Sequence, residues 1–308
     1  MSEPAGVPSD ALSGSDAEAR LAALEAAIVA VAAADIARRT AKAVARLRKG
    51  WMLGTAVAWR IARQDAARLL TAGTVDVSRR LRNLLPRARR VGAATVAGTA
   101  QVGWSPLADP RIADRLLTLD QDVTGRLQSA VDAIPIERPS SRSDLGDVIT
   151  RVERAKTTTQ AAVGDTVHEA ATGAAIDSAS GPLVWRAERS ACLACQSMAG
   201  ARINTDGWFT PVKRYTQSRL LAEPVRPPLH PHCRCVLIAD TPGIADGLQR
   251  EAERNIAYGW ANHESTAARL RAVDALLTAG SRLPVTVQRR ARSARTAGTF
   301  TATPQGRN

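Results

Sequence analysis

Four cysteines and two of the four histidines fall between Ser190 and Ala239. Cys192 and Cys195 form a C-x-x-C pair, and Cys233 and Cys235 lie inside His230-Pro231-His232-Cys233-Arg234-Cys235. No cysteine occurs elsewhere in the chain. A metal ion accounts for this grouping best. The turn of a C-x-x-C knuckle aims two thiolates at one ion, and a second pair of ligands closes the tetrahedron. Zinc takes sulfur at about 2.3 Å and imidazole nitrogen at about 2.0–2.1 Å, and sites closed by four protein ligands are structural. Five donors compete for four positions: Cys192, Cys195, His230, Cys233 and Cys235. The four cysteines are the first choice, and a Cys3His set using His230 is the second. His232, beside Pro231, is read as exposed. No position is then left for a catalytic water, so the expected Zn2+ is a staple for the fold.

Three other readings of the same residues stay open. Two disulfides are possible in three connectivities, but they need an oxidising compartment, and a Cys233–Cys235 bridge would be strained. Four free thiols could fill an ordinary core, where cysteine behaves as a small hydrophobe. A nucleophile pair from Cys233 with His230 or His232 is the weakest reading. Residues so close in sequence rarely align as base and nucleophile, and no oxyanion device stands nearby.

The residues around the cysteines carry a further signal. Trp185, Cys192-Leu-Ala-Cys195, Gly200, Gly207-Trp208-Phe209 and Pro227-Pro-Leu-His-Pro-His-Cys-Arg-Cys235 follow in that order. Together they resemble the signature of the phage Mu F-like head morphogenesis (minor capsid) proteins. The Pro-Pro-Leu-His-Pro-x-Cys-Arg-Cys run is the specific part, and it matches along its whole length. The resemblance spans residues 145 to 240, and the flanks do not carry it. It implies a minor component of a tailed-phage head, associated with the portal and needed for assembly or DNA delivery. It implies no catalytic residue. Some members of that family carry an enzymatic domain at the C-terminus, and none is evident after Ala239.

These ligands must be held by a scaffold that is poor in large side chains. The hydrophobic content is 45%, much of it alanine, and aromatics are only 3%, which points to long helices packed closely together. The net charge of +13 comes almost wholly from arginine, since lysine occurs only at 42, 49, 156 and 213. That charge suggests affinity for polyanions, nucleic acid first, although a GC-rich coding sequence would give the same composition. Acidic residues at 3, 10, 16 and 18 without a base are the reverse of a secretory signal. No apolar run reaches membrane length either, because Glu25 interrupts Leu21 to Ala34. A cytoplasmic, reducing compartment is expected, which favours metal over disulfide.

In chain order, residues 1–14 read as a disordered N-terminus. Ser15-x-x-Glu18 is a capping-box pattern, and Leu21, Leu24, Ile28 and Val31 mark one face of a helix running to about Lys49, where Gly50 is expected to break it. Trp51 to Ala72 should be its antiparallel partner, capped by Gly73. Ser78 to Arg90 is a basic helix expected to break at Pro86. Asp109-Pro110 is a helix start, and Ile112, Leu116, Leu119, Val123, Leu127, Val131 and Ile134 follow in a seven-residue repeat. That face fits core packing, or else a homo-oligomeric coiled coil. Pro135 to Ser143 is the linker candidate. A long helix spans Leu145 to Ile176, with His168 alone on it and read as no ligand. Leu183-Val184-Trp185 and Val236-Leu237-Ile238 are strand-like. Ile244 to Ala257 and Glu264 to Ala279 are helical, and Gly280 closes that part. The tail from 281 to 308 holds six arginines and no acid. No recognition helix, nucleotide loop or aromatic stacking set accompanies it, so any nucleic-acid binding should be blind to sequence.

The expected fold is mainly α, with long helices in hairpins or a bundle, plus a small α+β zinc-knuckle module with a short irregular β-sheet. The divisions are 1–14, 15–138, 144–242, 243–280 and the basic tail 281–308. The expected function is that of a non-enzymatic minor capsid protein of the virion head, assembled in the host cytoplasm. Its expected partners are the portal and the major capsid or scaffold proteins, with double-stranded DNA as a further candidate and no membrane. The alternative is a zinc-stabilised, sequence-nonspecific nucleic-acid-binding protein that never enters a particle.

Overall fold

The computed structural model describes residues 14–99, 101, 103–204, 207–216, 218–230, 233–262, 265–281 and 283–298. The N-terminal stretch expected to be disordered lies outside these up to residue 13, as do His232 and residues 299–308. The described chain is mainly helical. It forms α1 (Gly14–Ala32), α2 (Ala34–Met52), α3 (Ala56–Thr71), α4 (Val77–Ala94), α5 (Pro110–Asp132) and α6 (Arg142–Ser178). Strand β1 (Leu183–Arg186), α7 (Leu193–Met198) and β2 (Val236–Ala239) follow, then α8 (Ile244–Tyr258), α9 (Thr266–Thr278) and α10 (Val285–Thr296). Two compact units emerge. One gathers residues 23–88 and 102–170, the other residues 1–22, 89–101 and 171–308, so α1, α4 and α6 contribute to both. Among the described residues no helix is long and apolar enough to cross a membrane.

The first unit is a helical assembly whose spacing was readable. Ile112, Leu116, Leu119, Val123 and Leu127 of α5 are all buried, and Ala130 takes the inward position next in the series. Asp109 caps α5 by accepting from the Arg111 N–H at 3.1 Å, with Pro110 opening the helix. Helices α2 and α3 form the expected hairpin, and α3 also packs on α5. Gly50 does not break α2; it is buried within it. A Cβ there would lie 2.2 Å from Ala62 Cβ, so the glycine lets the two helices touch. The actual interruption is at Ala33, and the ladder bonds Ala33 N to Val29 O and Ala37 N to Ala33 O carry the helical direction through it.

Pro86 likewise lies inside a continuous α4. It is on the exposed side, where water can replace the hydrogen bond that its missing N–H forfeits. The start of α4 is held from α5: Asp120 accepts from the Ser78 N–H at 2.9 Å and from its hydroxyl. The Pro/Ser-rich segment after α5 is tied down by tryptophans, since Trp51 Nε1 donates to Pro139 O and Trp59 Nε1 to Pro135 O. His168, read as a core or surface residue, belongs to the core. It is buried on α6, with Nε2 2.9 Å from Oε2 of Glu25 on α1.

The second unit holds the sheet. Strands β1 and β2 pair antiparallel, with Trp185 opposite Leu237 and Arg186 opposite Val236. The other edge of β1 bonds irregular chain: Trp185 N to Ala201 O at 2.8 Å, Gly200 N to Trp185 O at 2.9 Å, and Ile203 N to Leu183 O at 3.0 Å. Phe209 and Val225 extend this with reciprocal backbone bonds. The C-terminal end of α4 crosses α6 at Gly92, and Thr95 Oγ1 beyond it sits 2.7 Å from the Leu237 carbonyl of β2. Glu18 does not form the expected capping box; α1 already begins at Gly14, and the Glu18 carboxylate accepts from Arg186 Nε at 2.8 Å. The expected basic tail is partly folded too. Helix α10 packs on α9 through the buried Ala291, and Arg295 pairs with Asp274.

Candidate metal centre

The two cysteine motifs meet because β1 and β2 are neighbours. Cys192 sits at the N-cap of α7, where its Sγ accepts from the Cys195 N–H at 3.5 Å. This fixes the C-x-x-C turn with both sulfurs on one side. His230 and Cys233 lie in the loop that enters β2, tightened by the bond from Cys233 N to His230 O at 3.0 Å. Cys235 directly precedes Val236, the first residue of β2. Side chains alternate along a strand, so Cys235 shares its face with Leu237 and therefore with Trp185 across the pair.

All five sequence-derived donors come together. Cys192, Cys195 and His230 form one triad and Cys195, Cys233 and Cys235 another, with the donor atoms of each within 4.8 Å of one another. Cys195 belongs to both. Its Sγ is 3.7 Å from Cys233 Sγ, and two thiolates on one zinc at about 2.3 Å stand about 3.8 Å apart. His230 Nε2 is 3.1 Å from Cys192 Sγ and 3.2 Å from Cys195 Sγ, against about 3.5 Å for a tetrahedral S–N edge. The spacing and chemistry of the set therefore fit a metal ion. Cys195, Cys233 and Cys235 are buried, and Cys192 and His230 are half-buried.

The surroundings are dry. Trp185, Met198, Phe209 and Leu237 pack around the buried cysteines, and the Trp185 and Phe209 rings meet edge to face at 5.6 Å. Four thiols in such a place cannot all ionise unaided. Hydrogen bonds from Cys195 and His230 hold the Cys192 thiol down at about 4. Cys195 is pushed far up, because its hydrogen bonds to Cys192, Cys233 and Cys235 require its proton. Cys233 is lowered by its hydrogen bonds with Cys195 and Cys235, whereas burial raises Cys235. A divalent cation would favour the thiolates at all of its ligands. The indole N–H of Trp185 is buried without a nitrogen or oxygen acceptor and lies close enough to Cys235 to lower its pKa. It is the natural outer donor to a metal-bound Cys235 thiolate.

The basic segments behave unevenly. In α4, Arg79 and Arg80 pair with Asp76, and the fully buried Arg89 pairs with Asp177 at 2.8 Å, so half of that arginine run is structural. An aromatic pair does stand outside the 281–308 tail, at the end of α8. Tyr258 and Trp260 stack with each other there, and Arg189 joins them. Their separation in sequence hid this group, although Tyr258-x-Trp260 at the end of a helix was a readable hint. Compared with protein-family models, curated proteins and solved structures, the chain finds no match.

Proposed function

We propose that this chain is a minor capsid, head morphogenesis protein of a tailed phage, structural rather than enzymatic. Zn2+ would be held by Cys192, Cys195 and Cys233 with either Cys235 or His230 as the fourth ligand. What carries the reading is the meeting of the two motifs that bear the family resemblance, C-x-x-C and H-P-H-C-R-C, as two donor triads that share Cys195. The ion supplies a cross-link between α7 and the entry to β2. The chain's own residues do the rest: the dry core shields the thiolates, and Trp185 orients one of them. On this reading the partners are the portal and the major capsid or scaffold proteins, and exposed arginines face packaged DNA. The protein is assembled in the host cytoplasm and resides in the virion head.

The test is the zinc content of the purified full chain, with thiol titration before and after chelation. One zinc per chain is expected, with thiols masked until the metal is removed and helical signal lost on its removal. His230→Ala separates the ligand sets, because retention of the metal selects the four cysteines. Co-sedimentation with portal assemblies then tests the head assignment. Four freely titrating thiols without zinc would end the metal reading. A zinc-loaded chain that ignores portal and capsid but binds duplex DNA would favour the particle-free alternative.

A further inference from the structure

A stack of exposed side chains lies beside the Cys/His cluster. The guanidinium carbon of Arg189 is 3.5 Å from the centroid of the Trp260 ring, and Tyr258 stacks on the same indole at 5.0 Å with the planes 24° apart. The link to the cluster is short. Asn262 N lies 3.2 Å from Ser190 O and 3.1 Å from Ala191 O, and Asn262 bridges to Cys192. Tyr258 is 49% exposed and Trp260 44%. In a chain with only 3% aromatic residues, two rings stacked in water are rings withheld from the core.

Among the described residues the charge nearest the rings is mainly positive. Arg250, Arg254 and Tyr258 are exposed at four-residue intervals on α8 and so share one face. Two of the three acids of that helix turn elsewhere, Glu251 toward Arg186 and Glu253 toward Lys213, and the third, Asp246, stands about three turns from Tyr258 at the far end of the face. The Arg269 guanidinium lies against Gly259, between the two rings in sequence, and donates to Ala257 O at 2.9 Å. Its Nε is buried without an acceptor. Arg290 of α10 stands close enough for its charge to bear on Arg269. Adjacent cations beside exposed aromatic faces suit a ligand that carries both anions and flat rings. A duplex hides its base faces, and an acidic peptide would leave the stack unused.

We propose that this surface binds single-stranded nucleic acid without regard to sequence. An unpaired base stacks on the Tyr258–Trp260 pair, and the flanking phosphates lie on Arg254, Arg269 and Arg290. The assignment rests on the stack and its charges and does not require the head-assembly reading.

The experiment uses the full chain, a fluorescein-labelled oligothymidylate and a duplex of equal length, followed by fluorescence anisotropy over a salt series. The single strand is expected to bind about tenfold tighter than the duplex. Tyr258→Leu should weaken it by about tenfold or more, the effect of losing one stacked base, and leave duplex affinity unchanged. The exposed pair Arg254→Gln and Arg290→Gln, which should fold regardless, is expected to lower the log–log salt slope by about 0.7 per lost phosphate contact. Circular dichroism should match the parent in each variant. Unchanged single-strand affinity in Tyr258→Leu would overturn the proposal. So would a duplex that binds equally well, or polyglutamate that competes as well as the oligonucleotide, which would reduce the surface to a general anion site.

Discussion

The crossing of α4 and α6 offers a sharp test of the fold, because one substitution in two helices should act with opposite signs. At Gly92 an added Cβ would fall 2.0 Å from Ala171 O, 2.5 Å from its carbonyl carbon and 2.6 Å from its Cα. These are backbone atoms in a buried stretch of α6, so no side chain can swing away. The helices would have to part by more than about 1 Å, disturbing the contacts of Ala93, Val96 and Ala175 and the bond from Thr95 to Leu237. Overpacking of this kind costs about 1–3 kcal/mol, and a backbone clash belongs at the upper end. Alanine's better helix propensity offsets about 1 kcal/mol. Gly92→Ala should therefore lose about 2 kcal/mol. At Gly125, exposed on α5 with nothing within 4 Å, Gly125→Ala should instead gain about 1 kcal/mol. Urea titrations followed by circular dichroism measure both. If Gly92→Ala stabilised the chain as Gly125→Ala does, the close crossing, and with it the support that α4 gives the sheet, would be wrong.

Two further perturbations address the second unit. Trp185→Phe keeps an aromatic ring in the core but removes the N–H beside Cys235, and zinc affinity in a competitive chelator titration should fall about tenfold; equal affinity would remove Trp185 from the metal's surroundings. Burial raises Glu18 from 4.5 to about 6, despite the nearby Arg186. Between those values the folded chain holds a proton that the unfolded chain has released, so this group's contribution falls as pH rises through the window and is fully lost above about 6. With a discount for partial exposure the swing is about 1–2 kcal/mol. The stability difference between the parent and Glu18→Gln should shift by that amount between pH 4 and pH 7, and parallel curves would contradict it.

Much of the helical frame was legible because it follows local rules. The seven-residue spacing from Ile112 gave the buried face of α5, and Asp109-Pro110 gave its start. The strands at Leu183 and Val236 and the meeting of the five Cys and His candidates were equally readable, since short apolar runs and clustered cysteines announce themselves within a few residues. What escaped depends on neighbours distant in sequence. Gly50 and Pro86 carry local breaking tendencies, which Ala62 across the hairpin and water on an open face neutralise. Glu25 read as a blemish in an apolar stretch, yet its partner His168 stands 143 residues away. The segment after Gly280 read as a charged tail, because Leu283 and Ala291, buried with α9 among the described residues, leave almost no periodic trace.

The order in which the chain leaves the ribosome matters to the unit that holds the cysteines. Glu18 meets Arg186 across 168 positions and Thr95 meets Leu237 across 142, so its earliest pieces must wait for its latest. Cys192 and Cys195 emerge while their partners at 230 to 235 are still being synthesised, and α8 and α9 come later still. During that interval the two thiols stand uncovered, open to oxidation or to capture of a stray soft metal ion. The redox state and metal supply of the compartment where the chain is made would thus act on it before it is a finished molecule, and if the cluster takes zinc, expression under zinc limitation should harm its yield more than its finished stability.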